Sequence, residues 1–187
     1  AVCGHSHLGH GESVPDHSHW GCLPANGGAQ VLVEDTHAMR LLADKRLGGD
    51  AAALPHVIFG HSMGSFVVRS YITSHGQGLA GAILCGTGSI PVATSKAGNA
   101  LAREIAHTHG VDYKSVLLDR IGVGNYNRGI PNPRTKVDWI SYDTDNIDRY
   151  LADDGCGFMF SAGGYATLTA LTAEVCSPES AALIPKD

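Results

Sequence analysis

The sequence predicts an α/β fold in which helices flank a mostly parallel sheet. Two short apolar runs, HVIFG at residues 56–60 and GAILCG at residues 81–86, have the composition of buried strands. Residues 63–75, which lie between them, carry apolar side chains at helical spacing. A strand, a helix and a second strand in this order form a βαβ unit, which places its two strands parallel in one sheet.

The other periodic segments predict helices. Residues 31–47 place Val31, Leu41 and Leu42 on one helical face and end at Gly-Gly-Asp. Helical patterns recur later in the chain, over residues 97–108, 111–120, 145–152 and 164–175. Residues 1–30 are rich in Gly and His and show little periodicity, so we expect mostly loop there after a short strand end.

These patterns divide the chain into a core and an insertion. We expect residues 1–96 to form part of an α/β core, residues 97–175 to form a helical cap, and residues 176–187 to return towards the core. A chain of 187 residues with 43% hydrophobic composition can bury a core, and its length suggests one domain that carries an insertion.

Charge and hydropathy exclude several classes of partner. The formal net charge is −5 without any basic block, so no nucleic-acid partner is expected. No apolar run reaches the roughly 18 residues of a membrane span, so we expect at most transient contact with a membrane surface. No secretory signal is visible, and a start at AVCG without Met indicates a processed or truncated beginning.

The cysteines favour a reducing compartment. They are odd in number and widely scattered, at Cys3, Cys22, Cys85, Cys156 and Cys176. A disulfide framework would be denser, so we expect reduced thiols in a cytoplasmic protein. Cys85, inside AGAILCGTG, is expected to be a small buried hydrophobic residue at a strand end.

The stretch VIFGHSMGSF carries the strongest indication of chemistry. Its Gly60-His61-Ser62-Met63-Gly64 pattern lies between a predicted strand and a predicted helix, which is the setting of a nucleophile elbow. Small residues two before and two after Ser62 let the strand and the helix approach closely. We therefore predict that Ser62 is a nucleophile and that the Met63 N–H, at the helix N-terminus, binds an oxyanion. The alternative is an ordinary strand–turn–helix connection with an incidental serine.

Longer stretches around this motif resemble a known group of enzymes. LPHVIFGHSMGSFVVRSYI followed by LAGAILCGTG resembles the nucleophile region of the α/β-hydrolase superfamily, closest to its monoacylglycerol lipase, lysophospholipase and serine-aminopeptidase-like group. HLGHGES, VEDTHAMRLL and NPRTKVDWISYDTDNIDRYLADDGCGFMFSAGGY resemble further segments of that group, including its lid. The first of these is preceded by Ser6 where the group usually has Asp.

The resemblance implies a serine hydrolase that cleaves carboxylic esters of monoacylglycerols or lysophospholipids through an acyl-enzyme on Ser62. It implies an α/β-hydrolase-like sheet with a cap, a small lipid or ester substrate, and no metal or organic cofactor. A peptidase or thioesterase on the same fold stays an alternative, as does a non-catalytic binding module, because fold does not fix function. No oligomeric state is predicted.

The rest of a catalytic triad is not visible in the sequence. Members of the superfamily order the triad as Ser, then Asp or Glu, then His. The histidines after Ser62 are His75, His107 and His109, and the only acid between Ser62 and His109 is Glu104. We therefore expect the acid and base to lie beyond Asp187, and this chain, as the central part of a larger hydrolase, to have low turnover or none. A substitute base, with His10 best placed, stays open; His61 is not expected to serve, because it faces away in the turn.

The N-terminal histidines suggest a rival reading as a metal site. His5, His7, His10, His17 and His19 lie near Cys3 and Cys22, and imidazole and thiolate are zinc ligands. Their spacing matches none of the usual zinc patterns. We therefore expect a Gly-rich loop with surface or hydrogen-bonded histidines and no metal.

Overall fold

A strand, a helix and a second strand form the centre of the structure, as the sequence predicts. In this computed structural model, which describes residues 1–49 and 53–186, β1 (His56–His61) leads into α2 (Met63–His75), and β2 (Leu79–Cys85) follows. The two strands pair in parallel, with Gly60 opposite Leu84 and His61 opposite Cys85. The α/β fold class is confirmed.

Helices make up most of the remaining structure. They are α1 (Gly28–Leu47), α3 (Val92–His109), α4 (Val116–Ile121), α5 (Thr144–Ala152), α6 (Ala162–Val175) and α7 (Pro178–Ala182). Short 3-10 turns lie at His17–His19, Val123–Gly129 and Asp138–Ile140. Residues 1–30 contain no strand and are irregular except for the first of these turns and the start of α1. The short strand end predicted there is therefore absent.

Short polar side chains begin four of the helices. Ser115, Asp143, Ser161 and Ser177 each accept a backbone N–H from the first turn of the helix that follows. Such a bond satisfies one of the four donors that a helix N-terminus leaves unpaired and typically stabilises the helix by about 1 kcal/mol. These caps explain where α4 to α7 begin.

The core lies where α6 crosses α1, α2 and α3. One cluster joins α1, α2 and α6 through buried side chains, namely Leu32, Val33, Val67, Val68, Tyr71 and Leu171. A second cluster joins α3, α4 and α6 through Ala102, Leu118, Ala162, Tyr165 and Ala166. Since α6 contributes to both clusters, it joins the βαβ unit to α3 and α4.

Residues 97–175 are helical or irregular throughout, and the boundary between core and cap stays a prediction.

The prediction that both strands are buried is wrong for one face of the sheet. Val57 is 57% exposed, Phe59 61% and Ile83 52%. Ile58, which alternates with Val57 and Phe59 along β1, packs against the first core cluster, because α2 covers the opposite face of that strand. Successive side chains of a strand point to opposite faces, so the other set meets solvent.

Cys85 is likewise exposed, which corrects its predicted burial. It lies at the end of β2, next to the uncovered part of the sheet. All five cysteines are free thiols in the structure. None of the helices in the described residues is both long enough and apolar enough to span a membrane.

Candidate active site

Ser62 occupies a sharp turn between β1 and α2. Its backbone has φ 51° and ψ −120°, a conformation that residues with a Cβ rarely adopt. The Ser62 N–H donates to the Cys85 carbonyl oxygen at 2.9 Å, and the Ser65 N–H donates to the Ser62 carbonyl oxygen at 2.9 Å. The side chain is exposed and does not cap the helix. The turn thus presents the hydroxyl to solvent at the helix N-terminus.

The two glycines of the motif have different roles in the structure. A Cβ on Gly60 would overlap the Gly64 carbonyl oxygen and lie 2.7 Å from Val68 Cγ2. Gly60 therefore permits the close approach of strand and helix that the sequence predicts. A Cβ on Gly64 would meet no atom within 4 Å outside its own helix, so no such steric requirement holds there.

The first backbone N–H groups of α2 face the region beside Ser62. Met63 is the first residue of the helix, so its N–H has no intrahelical acceptor. The positive end of the helix dipole lies at the same place and favours negative charge. This arrangement is suited to holding an oxyanion, and the role of Met63 stays a prediction.

Strain at the turn can be measured through stability. Replacing Ser62 by Gly is expected to raise the free energy of unfolding by about 1 kcal/mol, because Gly adopts a positive φ without a Cβ clash. The Ser62→Ala variant keeps the Cβ and should remain within about 0.5 kcal/mol of the wild type. Urea unfolding of both variants checks this, and equal stabilities for Gly and Ala would show that the turn is unstrained.

The loop after β2 forms one wall of the site. Gly86 has φ 57°, and a Cβ there would lie 3.1 Å from the His61 Nε2 and 3.8 Å from the Ser62 N. The His61 ring therefore lies beside Gly86, and it makes no hydrogen bond to Ser62. Gly86 is not among the site residues predicted from sequence, although a Gly directly after the strand that follows the elbow was available as a signal.

In the described residues, no histidine or carboxylate is hydrogen-bonded to the Ser62 hydroxyl. His75 ends α2, about 20 Å along the helix from Ser62 at 1.5 Å per residue. Its Nε2 lies 3.3 Å from the Glu34 Oε1, and its ring stacks on His37 at 3.9 Å. His107 and His109 lie exposed in the last turn of α3.

The N-terminal histidines contact aromatic rings and each other. The His5 and His7 rings meet edge-on at 4.9 Å, and the His10 ring lies 5.3 Å from Phe158. The His5 Nε2 and His7 Nδ1 are buried without a hydrogen-bond partner. Burial, with smaller effects of His5 and then His10, lowers the pKa of His7 to about 4. Burial also lowers the pKa of His10. Neither the His7 ring nor the His10 ring is hydrogen-bonded to Ser62.

The metal hypothesis gains no support from this arrangement. Within residues 1–49 and 53–186, no group of three or more His, Cys, Asp or Glu side chains has the geometry to hold a metal ion. His17 instead stacks on Trp20 at 4.0 Å, and the His19 Nδ1 lies 3.1 Å from the Asp16 Oδ1.

One cleft lies away from the serine. It has a volume of about 620 Å³ and follows α3, lined by Lys96, Asn99, Arg103 and His107 among others. A second cleft of about 400 Å³ lies between the 8–24 loop and Val111. Ser62 lines neither of them, so these two clefts do not mark the predicted nucleophile.

Comparison with known proteins identifies a family for this chain. A family model described as "Serine aminopeptidase, S33" matches residues 1–185. The chain belongs to this family. Its fold is also similar to the crystal structure of a highly thermostable carboxyl esterase from Bacillus coagulans in complex with glycerol, with a TM-score of 0.82 and 27% sequence identity. A search of curated proteins finds no match.

The structural match fixes the fold of this family member as that of an α/β-hydrolase. The alignment covers 96% of this chain and 56% of the esterase. The chain thus spans little more than half the length of the solved structure it matches. The superfamily resemblance is confirmed, and the resemblance to monoacylglycerol lipases in particular stays a prediction.

Proposed function

We propose that this chain carries the nucleophile of a serine ester hydrolase. The observation that carries the proposal is the backbone of Ser62, which is held at a positive φ at the first turn of α2 with its hydroxyl exposed. A strained, exposed serine at this position is what a nucleophile elbow requires. Membership of the serine aminopeptidase family and similarity to a carboxyl esterase support it.

The reaction would proceed in two steps through a covalent intermediate. The Ser62 oxygen bonds to the acyl carbon as its proton passes to a base, which is hydroxide where no side chain supplies one, while the Met63 N–H stabilises the oxyanion. The carbon–oxygen bond to the alcohol then breaks, and the alcohol leaves with a proton. Water attacks the acyl-enzyme, releases the carboxylic acid and returns a proton to Ser62. No step requires a metal or an organic cofactor.

The substrate class proposed is a monoacylglycerol or a lysophospholipid. The support is the sequence resemblance to that group, together with the esterase relative, whose structure contains glycerol. Apolar side chains are exposed along the later helices, for example Val116 at 64%, Leu117 at 54% and Ile121 at 54%. Such side chains suit an acyl chain, since its transfer out of water is favourable.

Covalent labelling tests the nucleophile. A fluorophosphonate needs only the first bond-forming step, and at pH 9 hydroxide can accept the serine proton in place of a side-chain base. We expect one label per chain, found on Ser62 by peptide mass spectrometry, and no label in Ser62→Ala. Ser74→Ala, an exposed serine on the same helix, is the matched control and should label like the wild type. Absence of label on Ser62, or equal labelling of Ser62→Ala, would contradict the proposal and favour a non-catalytic module.

Turnover by this chain alone is expected to be low, because no base contacts Ser62 in the described residues. Fast hydrolysis of a p-nitrophenyl ester would show that a base reaches Ser62 from a position that the structure does not indicate.

An aminopeptidase is the second candidate, since the family is described by that activity. The nucleophile would be the same, and the substrate would present a free amino group. Comparing p-nitrophenyl acyl esters with aminoacyl p-nitroanilides separates the two candidates. Faster hydrolysis of the anilides would favour the aminopeptidase over the esterase. Faster hydrolysis of an acyl thioester than of the matching ester would identify a thioesterase.

A further inference from the structure

Arg69 connects three segments of the chain through backbone acceptors. It lies on α2, two turns after Ser62. Its Nη1 donates to the Gly88 carbonyl oxygen at 2.8 Å and to the Thr87 hydroxyl at 3.4 Å, and its Nη2 donates to the Val175 carbonyl oxygen at 2.6 Å. The guanidinium also lies 5.8 Å from the centre of the Phe66 ring. In the described residues no carboxylate lies within 4.0 Å of it.

The two carbonyls mark the two ends of the long helical segment that separates β2 from α7. Gly88 lies in the loop between β2 and α3, and Val175 is the last residue of α6. One guanidinium therefore holds the entry and the exit of this segment on the helix that begins at the nucleophile. The Ile90 N–H, 3.5 Å from the Cys176 Sγ, adds a direct link between the two ends.

The chemistry of arginine suits this task. Its planar fork presents five N–H donors in a fixed geometry, so it can reach several acceptors at once, whereas lysine acts as a single flexible point charge. The Val175 carbonyl lies at the C-terminus of α6, where the helix dipole favours a cation. The positive charge is thereby stabilised without an acidic partner.

The entry loop also borders the site. It follows Cys85, whose carbonyl oxygen accepts the Ser62 N–H, and it contains Gly86, whose Cα lies beside His61. Gly88 approaches the Phe66 ring, with 3.6 Å from its added Cβ to the Phe66 Cζ. Movement of the loop would therefore move a wall of the site while leaving the elbow in place.

We propose that Arg69 is a positioning residue that fixes the α3–α6 segment relative to Ser62 and so determines how long an acyl group reaches the serine. This inference rests on the proposed function of Ser62. It concerns the selection of the acyl group and not the attack by the serine, because Arg69 lies about two helical turns from Ser62.

Paired probes test the inference. A short-chain ethyl and a long-chain hexadecyl fluorophosphonate are compared on the wild type, Arg69→Met and Arg69→Lys. In Arg69→Met we expect labelling by the long probe to slow at least about fivefold, while labelling by the short probe changes less than about twofold. Labelling by the long probe should slow nearly as much in Arg69→Lys, which keeps the charge but lacks the planar guanidinium. Arg103→Met, an exposed arginine on α3, is the control and should leave the ratio unchanged.

If Arg69 only stabilised the fold, its loss would slow labelling by both probes equally. An unchanged ratio of the two labelling rates in a folded Arg69→Met variant overturns the inference. If the wild type is not labelled at all, the proposed function fails, and hydrogen exchange then decides the positioning role. Amides of residues 86–90 and 174–177 should exchange at least about tenfold faster in Arg69→Met. Exchange at wild-type rates in both segments would overturn the positioning role by itself.

Discussion

Replacing Gly60 by alanine is expected to lower the free energy of unfolding by about 3 kcal/mol. The new Cβ would overlap the Gly64 carbonyl oxygen and lie 2.7 Å from Val68 Cγ2, and both neighbours belong to a packed helix that cannot retreat without loss of core contacts. Urea unfolding followed by circular dichroism measures the change. Labelling of Ser62 should fall as well, because the strand and the helix that hold it must separate.

Gly64→Ala is the matched control at the other glycine of the motif. Its Cβ meets no atom outside its own helix, so steric cost is absent. Alanine is favoured over glycine within a helix by up to about 1 kcal/mol, and a gain of about 0.5 kcal/mol is expected near the helix start. Equal destabilisation by the two substitutions would show that strand and helix are farther apart than the structure indicates.

Acid is expected to destabilise the protein through His7. Burial lowers the pKa of His7 from 6.5 to about 4, so between these values the unfolded chain binds a proton that the folded chain excludes. Above pH 6.5 His7 is neutral in both states and does not lower the free energy of unfolding. As the pH falls from 6.5 towards 4, protonation of the unfolded chain lowers that free energy progressively. Over this interval the free energy of unfolding falls by about 3 kcal/mol, at 1.36 kcal/mol per pH unit.

His7→Phe removes this titration and should reduce the slope of stability against pH between pH 6.5 and 4, where the lowered pKa of His10 leaves a smaller residual slope. The substitution also replaces a buried ring nitrogen that lacks a partner by an apolar carbon. His17→Phe is the control, since His17 lies exposed in the same N-terminal region. Chemical unfolding at a series of pH values measures both, and a slope in His7→Phe equal to that of the wild type would contradict the prediction.

The central βαβ unit could be predicted from sequence because its signals are local. The apolar runs, the Pro55 before β1 and the apolar spacing of α2 each lie within one element, and α2 has the predicted bounds. The starts of α1 and α3 were less predictable. α1 begins three residues earlier than predicted, after Gly27 in a left-handed conformation, and α3 begins five residues earlier, after Pro91. Neither residue caps through a side chain, so the usual polar signal is missing.

Ser62 could be proposed as a nucleophile from sequence for the same reason, since the elbow motif is a local pattern in a recognisable setting. The partners of Arg69 could not, because Val175 lies 106 residues away along the chain. The exposure of Phe59 and Cys85 also escaped prediction. Composition indicates that a strand is suited to burial, but it does not show which elements cover each face.

The open edges of the sheet, together with its exposed face, bear on association between chains. Within the described residues each strand has a single neighbour, so each leaves one row of backbone donors and acceptors unpaired. A further strand added at such an edge would gain backbone hydrogen bonds and would extend the apolar surface that begins at Val57 and Phe59. The same edge is open to a strand from any other polypeptide, so correct sheet extension and aggregation compete for one surface.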